Sequence, residues 1–313
     1  MSSIFGSLSA TANALEAQRR GLEVSGQNIA NANSVGYSRR TLELAERPSG
    51  VAGDPGGGVQ VSQVRAVRDV FIEARVRQER QGLAHDKTVT DNLAVVEAQL
   101  GRPGESLDAQ LAAFYDAFSA LADDPASMTL RDAAVREADR VGVSFREMAS
   151  RLDQTRRNAD AGVRATVDEV NTILQDIARM NERISAAGGI DVESMIDARG
   201  ARLNDLAELV DINTTDASGT MSVSLASGEA LVTGGHVTGL TLEDEAGTGL
   251  ARVTSNGVDI TSHIAGGEFG GWLDVRDTRM PVYTGMLDQL AFDFANAVNA
   301  IWFWASFPAA PRP

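Results

Sequence analysis

The run Asn28-Ile29-Ala30-Asn31-Ala32-Asn33-Ser34-Val35-Gly36-Tyr37-Ser38-Arg39-Arg40 follows a Pro-free segment in which Leu8, Leu15, Leu22 and Ile29 recur at intervals of seven. Seven residues make two turns of a slightly underwound helix, so these four side chains form one narrow stripe along a rod. Thr11, Ala12, Gln18, Ser25 and Gly26 on its flanks are small or polar, and Gly6, Gly21 and Gly26 weaken the helix further. A stripe one residue wide cannot hold a helix in water alone. It calls for a partner helix. The Asn-rich run then acts as a stop, because Asn side chains compete for backbone hydrogen bonds and Gly36 supplies a positive-φ position at little cost.

An ordinary surface helix with an Asn/Gly C-cap is the plain alternative. The whole run, set behind a heptad rod, closely resembles the amino terminus of the bacterial flagellar axial proteins. Gly36-Tyr37-Ser38-Arg39-Arg40 resembles the form found in the hook-associated protein 1 (FlgK) family of hook–filament junction proteins. Rod and hook relatives share the Asn-Ile-Ala-Asn-x-Asn portion but usually carry Lys where this chain has Ser38. A second segment, Met195-Ile196-Asp197-Ala198-Arg199 followed by Leu203, resembles a family stretch that normally reads Leu-Leu-Asp-x-Arg-Asp, with Gly200 in place of the second Asp. The resemblance marks Asn28, Asn31, Asn33, Gly36, Tyr37, Ser38 and Arg39 as motif residues, with Tyr37 and Arg39 as anchors of the turn. It marks Leu8, Leu15, Leu22 and Ile29 as helix-packing positions in assembly.

Outward from the motif, Leu42 and Leu44, then Val59, Val61 and Val64, alternate with polar neighbours and predict short strands within 41–66, joined by the Gly53–Gly58 turn cluster. No Gly-Lys-Ser/Thr and no helix follow that cluster, so it is not a phosphate loop. From Val67 to Leu100 the period is helical. Leu107, Leu111, Phe114, Phe118 and Leu121 predict a short amphipathic helix, and Asp123-Asp124-Pro125 is read as ending it and starting the next. From about Thr129 to Ala186 there is no Pro. Val141, Phe145, Met148, Leu152, Thr155 and Ala159 share a face that continues through Val163, Val170, Ile177 and Ile184, with Val167, Leu174 and Asn181 beside it. Such a rod would be roughly 80 Å long, and Gly142 and Gly162 are places for a bend or a close approach.

Gly188-Gly189 closes the rod and a helix follows from about Val192 to Val210. After Asp211 the period changes to two. Met221, Val223 and Leu225, then Leu231-Val232, Leu240 with Leu242, Leu250 to Val253, and Val258 with Ile260 predict a small β-rich domain over 211–272. Helical periodicity returns with Tyr283, Leu287, Leu290, Phe294, Val298 and Ile301. The tail 301–313 holds two of the three Trp and three of the eight Pro, and is out of keeping with what precedes it. The family continues well beyond this point into a helix that pairs with the amino-terminal one. The tail is therefore expected to mark a truncation by frameshift or premature stop near Ala300, with an aromatic docking tail as the alternative.

At 313 residues the chain is long enough for a full core, and its net charge of −15 argues against a nucleic-acid partner. There is no Cys, hence no disulfide and no thiolate metal site. The first charged residue is Glu16 and no apolar run suits a signal peptide or a membrane span. His85, His236 and His263 are too scattered for a metal motif, the acidic loop 242–247 lacks the spacing of a calcium loop, and no Gly-x-Ser-x-Gly elbow occurs. No catalytic, metal or cofactor site is expected.

The expected fold is mainly α, an elongated long-helix bundle or coiled-coil-like rod with an inserted small β-rich domain. Its parts would be 1–40 (heptad helix and Asn/Gly turn), 41–210 (long helices, with a short β-loop segment at 41–66), 211–272 (β-rich), 273–300 (return helix) and 301–313 (tail). The resemblance implies a non-enzymatic structural protein of the flagellum, required for filament assembly and motility. It implies export through the flagellar type III apparatus with an export chaperone. Self-assembly, hook protein and the second hook–filament junction protein are the implied partners, with no nucleic acid and no membrane insertion. A rod or hook subunit, or an enzyme using the β-rich domain, are the alternatives.

Overall fold

A computed structural model describes residues 2–34, 36–47, 58–100, 106–187, 192–217 and 219–306. Among these the fold is mainly α with small antiparallel sheets, as the periodicities predict. Helix α1 (Ser2–Ala30) leads into strands β1 (Arg40–Glu46) and β2 (Val59–Ala66), which pair as an antiparallel hairpin. Helices α2 (Val70–Leu100), α3 (Leu107–Asp123), α4 (Met128–Ala186) and α5 (Val192–Leu209) follow. Strands β3 (Ile212–Ala217), β4 (Thr220–Leu225), β5 (Ala230–Thr233) and β6 (His236–Val237) make one sheet in sequential order. A second, of β7 (Leu240–Asp244), β8 (Ala251–Ser255) and β9 (Val258–Asp259), comes next. The chain then runs through α6 (Gly267–Leu273), a π-helical stretch Asp274–Arg279, and α7 (Met280–Ser306). Residues 307–313 of the expected tail, most of the 53–58 glycine cluster and Gly188-Gly189 lie outside the described residues.

The described residues cluster into two compact units. One comprises Met1–Gln81, Asp168–Leu240 and Ser255–Val258; the other comprises Gly82–Val167, Thr241–Thr254 and Asp259–Pro313. In the first, Val170, Leu174, Ile177 and Ile184 of α4 are buried, as are Leu203 and Leu206 of α5 and Val223, Leu225, Leu231 and Val232 of the four-stranded sheet. Two Asn side chains of α4 fasten strand backbone to this face. Asn171 donates to the Leu240 carbonyl and accepts from its N–H, both at 2.8 Å. Asn181 donates to the Met221 and Gly234 carbonyls at 2.7 and 2.8 Å. A buried amide is tolerated because its polar atoms are matched.

The second unit has a core of Val89, Val96, Leu107, Phe114, Val141, Phe145, Leu152, Ala159, Val275, Met280 and Leu287. Phe114 and Phe294 meet edge-on with ring centroids 5.1 Å apart. Gly162 serves close approach, since a Cβ there would fall 2.5 Å from the Trp272 ring. Asp160 accepts from the Ala251 N–H and from Arg276 Nη1, each at 2.7 Å, and so holds α4, β8 and the π-helical stretch together.

Two local expectations need correction. Asp124 and Pro125 do not start α4. They form a turn closed by the Ser127 N–H donating to the Asp124 carbonyl, and Ser127 is the cap, its hydroxyl accepting from the Leu130 N–H at 3.4 Å. A Pro at that position serves the turn as well as a first helical turn, and Ser is an equally good cap, so the sequence signal was displaced by three residues. The return helix is also not uniform. Its widened π-helical segment ends two residues before Pro281, whose ring would clash with the Asp277 carbonyl in a regular helix.

Candidate functional site

The Asn28–Arg40 run folds as a stop followed by a reversal. Helix α1 ends at Ala30, and Asn31 donates to the Gln27 carbonyl with both its backbone N–H and its Nδ2, each at 3.0 Å, so the side chain competes for a backbone acceptor at the helix end. Gly36 has φ of +82°, a left-handed conformation that a side chain would strain. Asn28 then grips the returning chain: its Nδ2 donates to the Arg40 carbonyl at 2.9 Å and its Oδ1 accepts from the Arg40 N–H at 2.8 Å. The Tyr37 hydroxyl donates to the same Oδ1 at 2.9 Å, and the Arg40 guanidinium sits 5.3 Å from the Tyr37 ring centroid. Asn28, Tyr37 and Arg40 therefore form one unit across the turn. Asn33 is exposed.

Arg39, the arginine expected as an anchor, is exposed; its carbonyl accepts from the Val67 N–H at 2.8 Å. Arg40 takes the inward place because β1 begins there and successive side chains in an extended segment point to opposite sides. Arg40 Nη2 reaches Asp197 Oδ2 at 3.2 Å, and Arg68 Nη2 reaches Asp197 Oδ1 at 2.6 Å. Arg68 Nε also donates to the Ser38 hydroxyl at 3.3 Å. A Lys at position 38 would bring a third cation beside Arg68 and Arg40, which gives the serine a physical reason. Arg68 Nη2 lies 3.2 Å from Glu193 Oε2 without hydrogen-bond geometry. Nothing in the spacing points to Arg68 or Glu193; Arg40 and Asp197 lie in the two quoted segments but carry no role there.

The helix ahead of the turn has two opposed faces. Ala17 and Val24 are 4% and 8% exposed, and Ala10 lies against Gly58 at the start of β2, where an added Cβ would stand 3.0 Å from the Ala10 Cα. Small residues at 10, 17 and 24 thus seat α1 on the hairpin. Leu8, Leu15, Leu22 and Ile29 are 66%, 66%, 74% and 78% exposed. The two columns are offset by two residues, about 200° around the helix. A continuous leucine seam faces away from the chain's own fold.

Among the described residues no group of three or more His, Asp or Glu could hold a metal ion, and no helix is long and apolar enough to cross a membrane. A cleft of about 600 Å³ between α1, β2 and α5 is lined by Asn13, Glu16, Arg20, Gln63 and Glu193. Its Glu16 and Arg20 belong to a ladder of exposed ion pairs along α1.

Comparison with known proteins places the chain. The family model for the flagellar hook-associated protein FlgK helical domain matches residues 93–302. Flagellar hook-associated protein 1 of Escherichia coli (strain K12) is 26% identical over 302 residues, covering 91% of this chain and 55% of its own length. Proteins of the same name are 25% identical in Bacillus subtilis (96% of this chain, 68% of theirs) and 27% in Salmonella typhimurium (91% and 54%). The chain thus spans about half the length of two of these relatives. The structure of the flagellar hook junction protein FlgK from Burkholderia pseudomallei shares the fold at a TM-score of 0.57 and 19% identity, over 66% of this chain and 39% of that one. The family model covers α3 through most of α7, including the 195–203 segment, whereas the 28–40 run lies outside it, so two parts of the molecule lead to one conclusion: the chain belongs to the FlgK family of flagellar hook-associated proteins.

Proposed function

We propose that this chain is a non-enzymatic structural subunit of the bacterial flagellum, joining the hook to the filament by coaxial packing of helices. The observation that carries the reading is the solvent-facing column Leu8, Leu15, Leu22 and Ile29, opposite the small-residue face by which α1 is seated. Burial of such side chains contributes about 1.5–3 kcal/mol each, enough across one column to offset the ordering of a helix that is marginal alone. The occupants are helices of neighbouring copies and of adjoining axial proteins, with hook protein below and the second junction protein above. Residues 1–40 serve axial packing and export, 41–210 with 273–300 the helical body, and 211–272 a small β-rich domain inserted in it. The subunit reaches the outside of the cell through the flagellar type III export apparatus, accompanied by an export chaperone. The names of its relatives support this reading.

Deleting the gene tests it. Cells are expected to lose motility, to carry hooks without filaments and to release filament subunits into the medium, with all three reversed by the gene in trans. Normal swimming in the deletant, in a genome with no second copy, would overturn the proposal.

A further inference from the structure

We propose that Asp197 is a positioning residue that sets the direction in which α1 leaves the fold. The two residues it binds come from the two ends of one hairpin. Arg40 is the first residue of β1 and pairs in register with Ala66, and Arg68 lies just past the end of β2. Their guanidiniums meet at the hairpin root on opposite oxygens of the Asp197 carboxylate, at 3.2 and 2.6 Å. All three side chains are largely shielded from water, so the attraction is not diluted as it would be at an exposed pair. Asn28, in the last turn of α1, holds both backbone polar groups of Arg40. An unbroken series of short contacts therefore runs from the end of α1 through Arg40 to α5.

Arg199 extends it. Two residues along α5 is about 200° of rotation, so Arg199 faces away from Asp197. It is 1% exposed, donates to Asn181 Oδ1 at 2.7 Å and to the Gly219 carbonyl at 3.0 Å, and lies 3.5 Å from Asp216. Helix α5 thus grips the root of α1 with Asp197, and α4 with the β3–β4 turn with Arg199. Without the carboxylate, Arg40 would lose its anionic partner and Arg68 would keep only Glu193, so the hairpin root, still closed by its own backbone bonds, would loosen from α5 and carry the end of α1 with it, while Arg199 kept the rest in place. The inference rests on the junction reading, because the direction of α1 matters only if its leucine column must meet other helices.

The absence of Cys makes the test direct. Spin labels on Ala12→Cys and Ala201→Cys, both exposed, report the α1–α5 distance by double electron–electron resonance. The parent chain is expected to give one narrow distance, and Asp197→Asn to lose it while helix content is unchanged. Asp197→Glu should keep a single distance. If Asp197→Asn does not fold, the Arg40→Gln/Arg68→Gln pair removes the same contacts without leaving unpaired cations, and is read in the same way. An unchanged distance distribution in the folded variant would overturn the proposal. In the deletant, the Asp197→Asn gene should restore fewer filaments than the parent gene. Failure of the parent gene itself to restore them would count against the junction reading and leave the distance result standing.

Discussion

Leu8, Leu15, Leu22 and Ile29 on α1, and Val163, Val170, Ile177 and Ile184 on α4, are aliphatic columns of the same seven-residue spacing. The first is at least 66% exposed at every position and the second at most 6%. Width separates them. On α4 a second column, Val167, Leu174 and Asn181, stands beside the first and is also buried, giving a stripe broad enough to pack within the fold. On α1 the neighbours are polar or small, and the buried side is the opposite one, where Ala17 and Val24 meet the hairpin. Equal periodicity therefore does not mean equal use. The broad stripe is buried inside the chain, and the single column stands in solvent.

The contrast predicts that damage to α4 is felt by the monomer and damage to the α1 column is not. The largest effect is expected at Asp160, the polar member of the α4 face that holds buried Arg276 at 2.7 Å. Asp160→Ala breaks that buried pair and strips the Ala251 N–H of its acceptor, with Asp277 as the guanidinium's remaining carboxylate, and should cost about 3–5 kcal/mol in chemical denaturation. The same carboxylate predicts an acid response. Burial pushes its pKa up, but the Ala251 N–H and the Arg164 and Arg276 guanidiniums hold it below the ordinary 3.8. Because the folded-state value is the lower one, the stabilisation is complete above the ordinary value and is lost as pH falls through the depressed one. Asp160→Asn should flatten the stability profile there, and an unaltered acid limb would show that the group does not contribute.

Next in size is Leu174→Ala. It removes a fully buried side chain and should lower stability by about 2–5 kcal/mol in the same denaturation measurement. The smallest effect is expected at Leu15→Ala, within about 0.5 kcal/mol of the parent, because the side chain already stands in solvent. The order reverses in the flagellum, where Leu15→Ala combined with Leu22→Ala should reduce filament number in a complementation assay. A large loss of monomer stability at Leu15 would erase the distinction between the two columns.

Much of this was legible in the sequence. The α4 face, the hairpin at 41–66 and the strands after Asp211 follow from hydrophobic period alone. The end of α1 followed from the chemistry of Asn and Gly. What periodicity cannot carry is long-range polar pairing. Arg40 and Arg68 lie 157 and 129 residues from the Asp197 they share, and no local spacing announces them. The choice of Arg40 over Arg39 turned on which residue opens β1, a one-residue matter that a strand converts into opposite faces. The π-helical segment left only Pro281 as a hint. The seating of α1 through Ala10, Ala17 and Val24 is not legible in the sequence because small residues contribute little to a hydrophobic pattern.

The central claim is that the leucine column is open in the lone chain and closed in the assembled flagellum. Hydroxyl-radical footprinting measures this on the unmodified protein, comparing oxidation of Leu8, Leu15, Leu22 and Ile29 in the isolated chain and in purified hook–filament particles, with buried Leu174 as the internal reference. The account predicts rapid oxidation of all four in the isolated chain and protection approaching that of Leu174 in the particles. Protection in the isolated chain, or equal oxidation in both states, would contradict it.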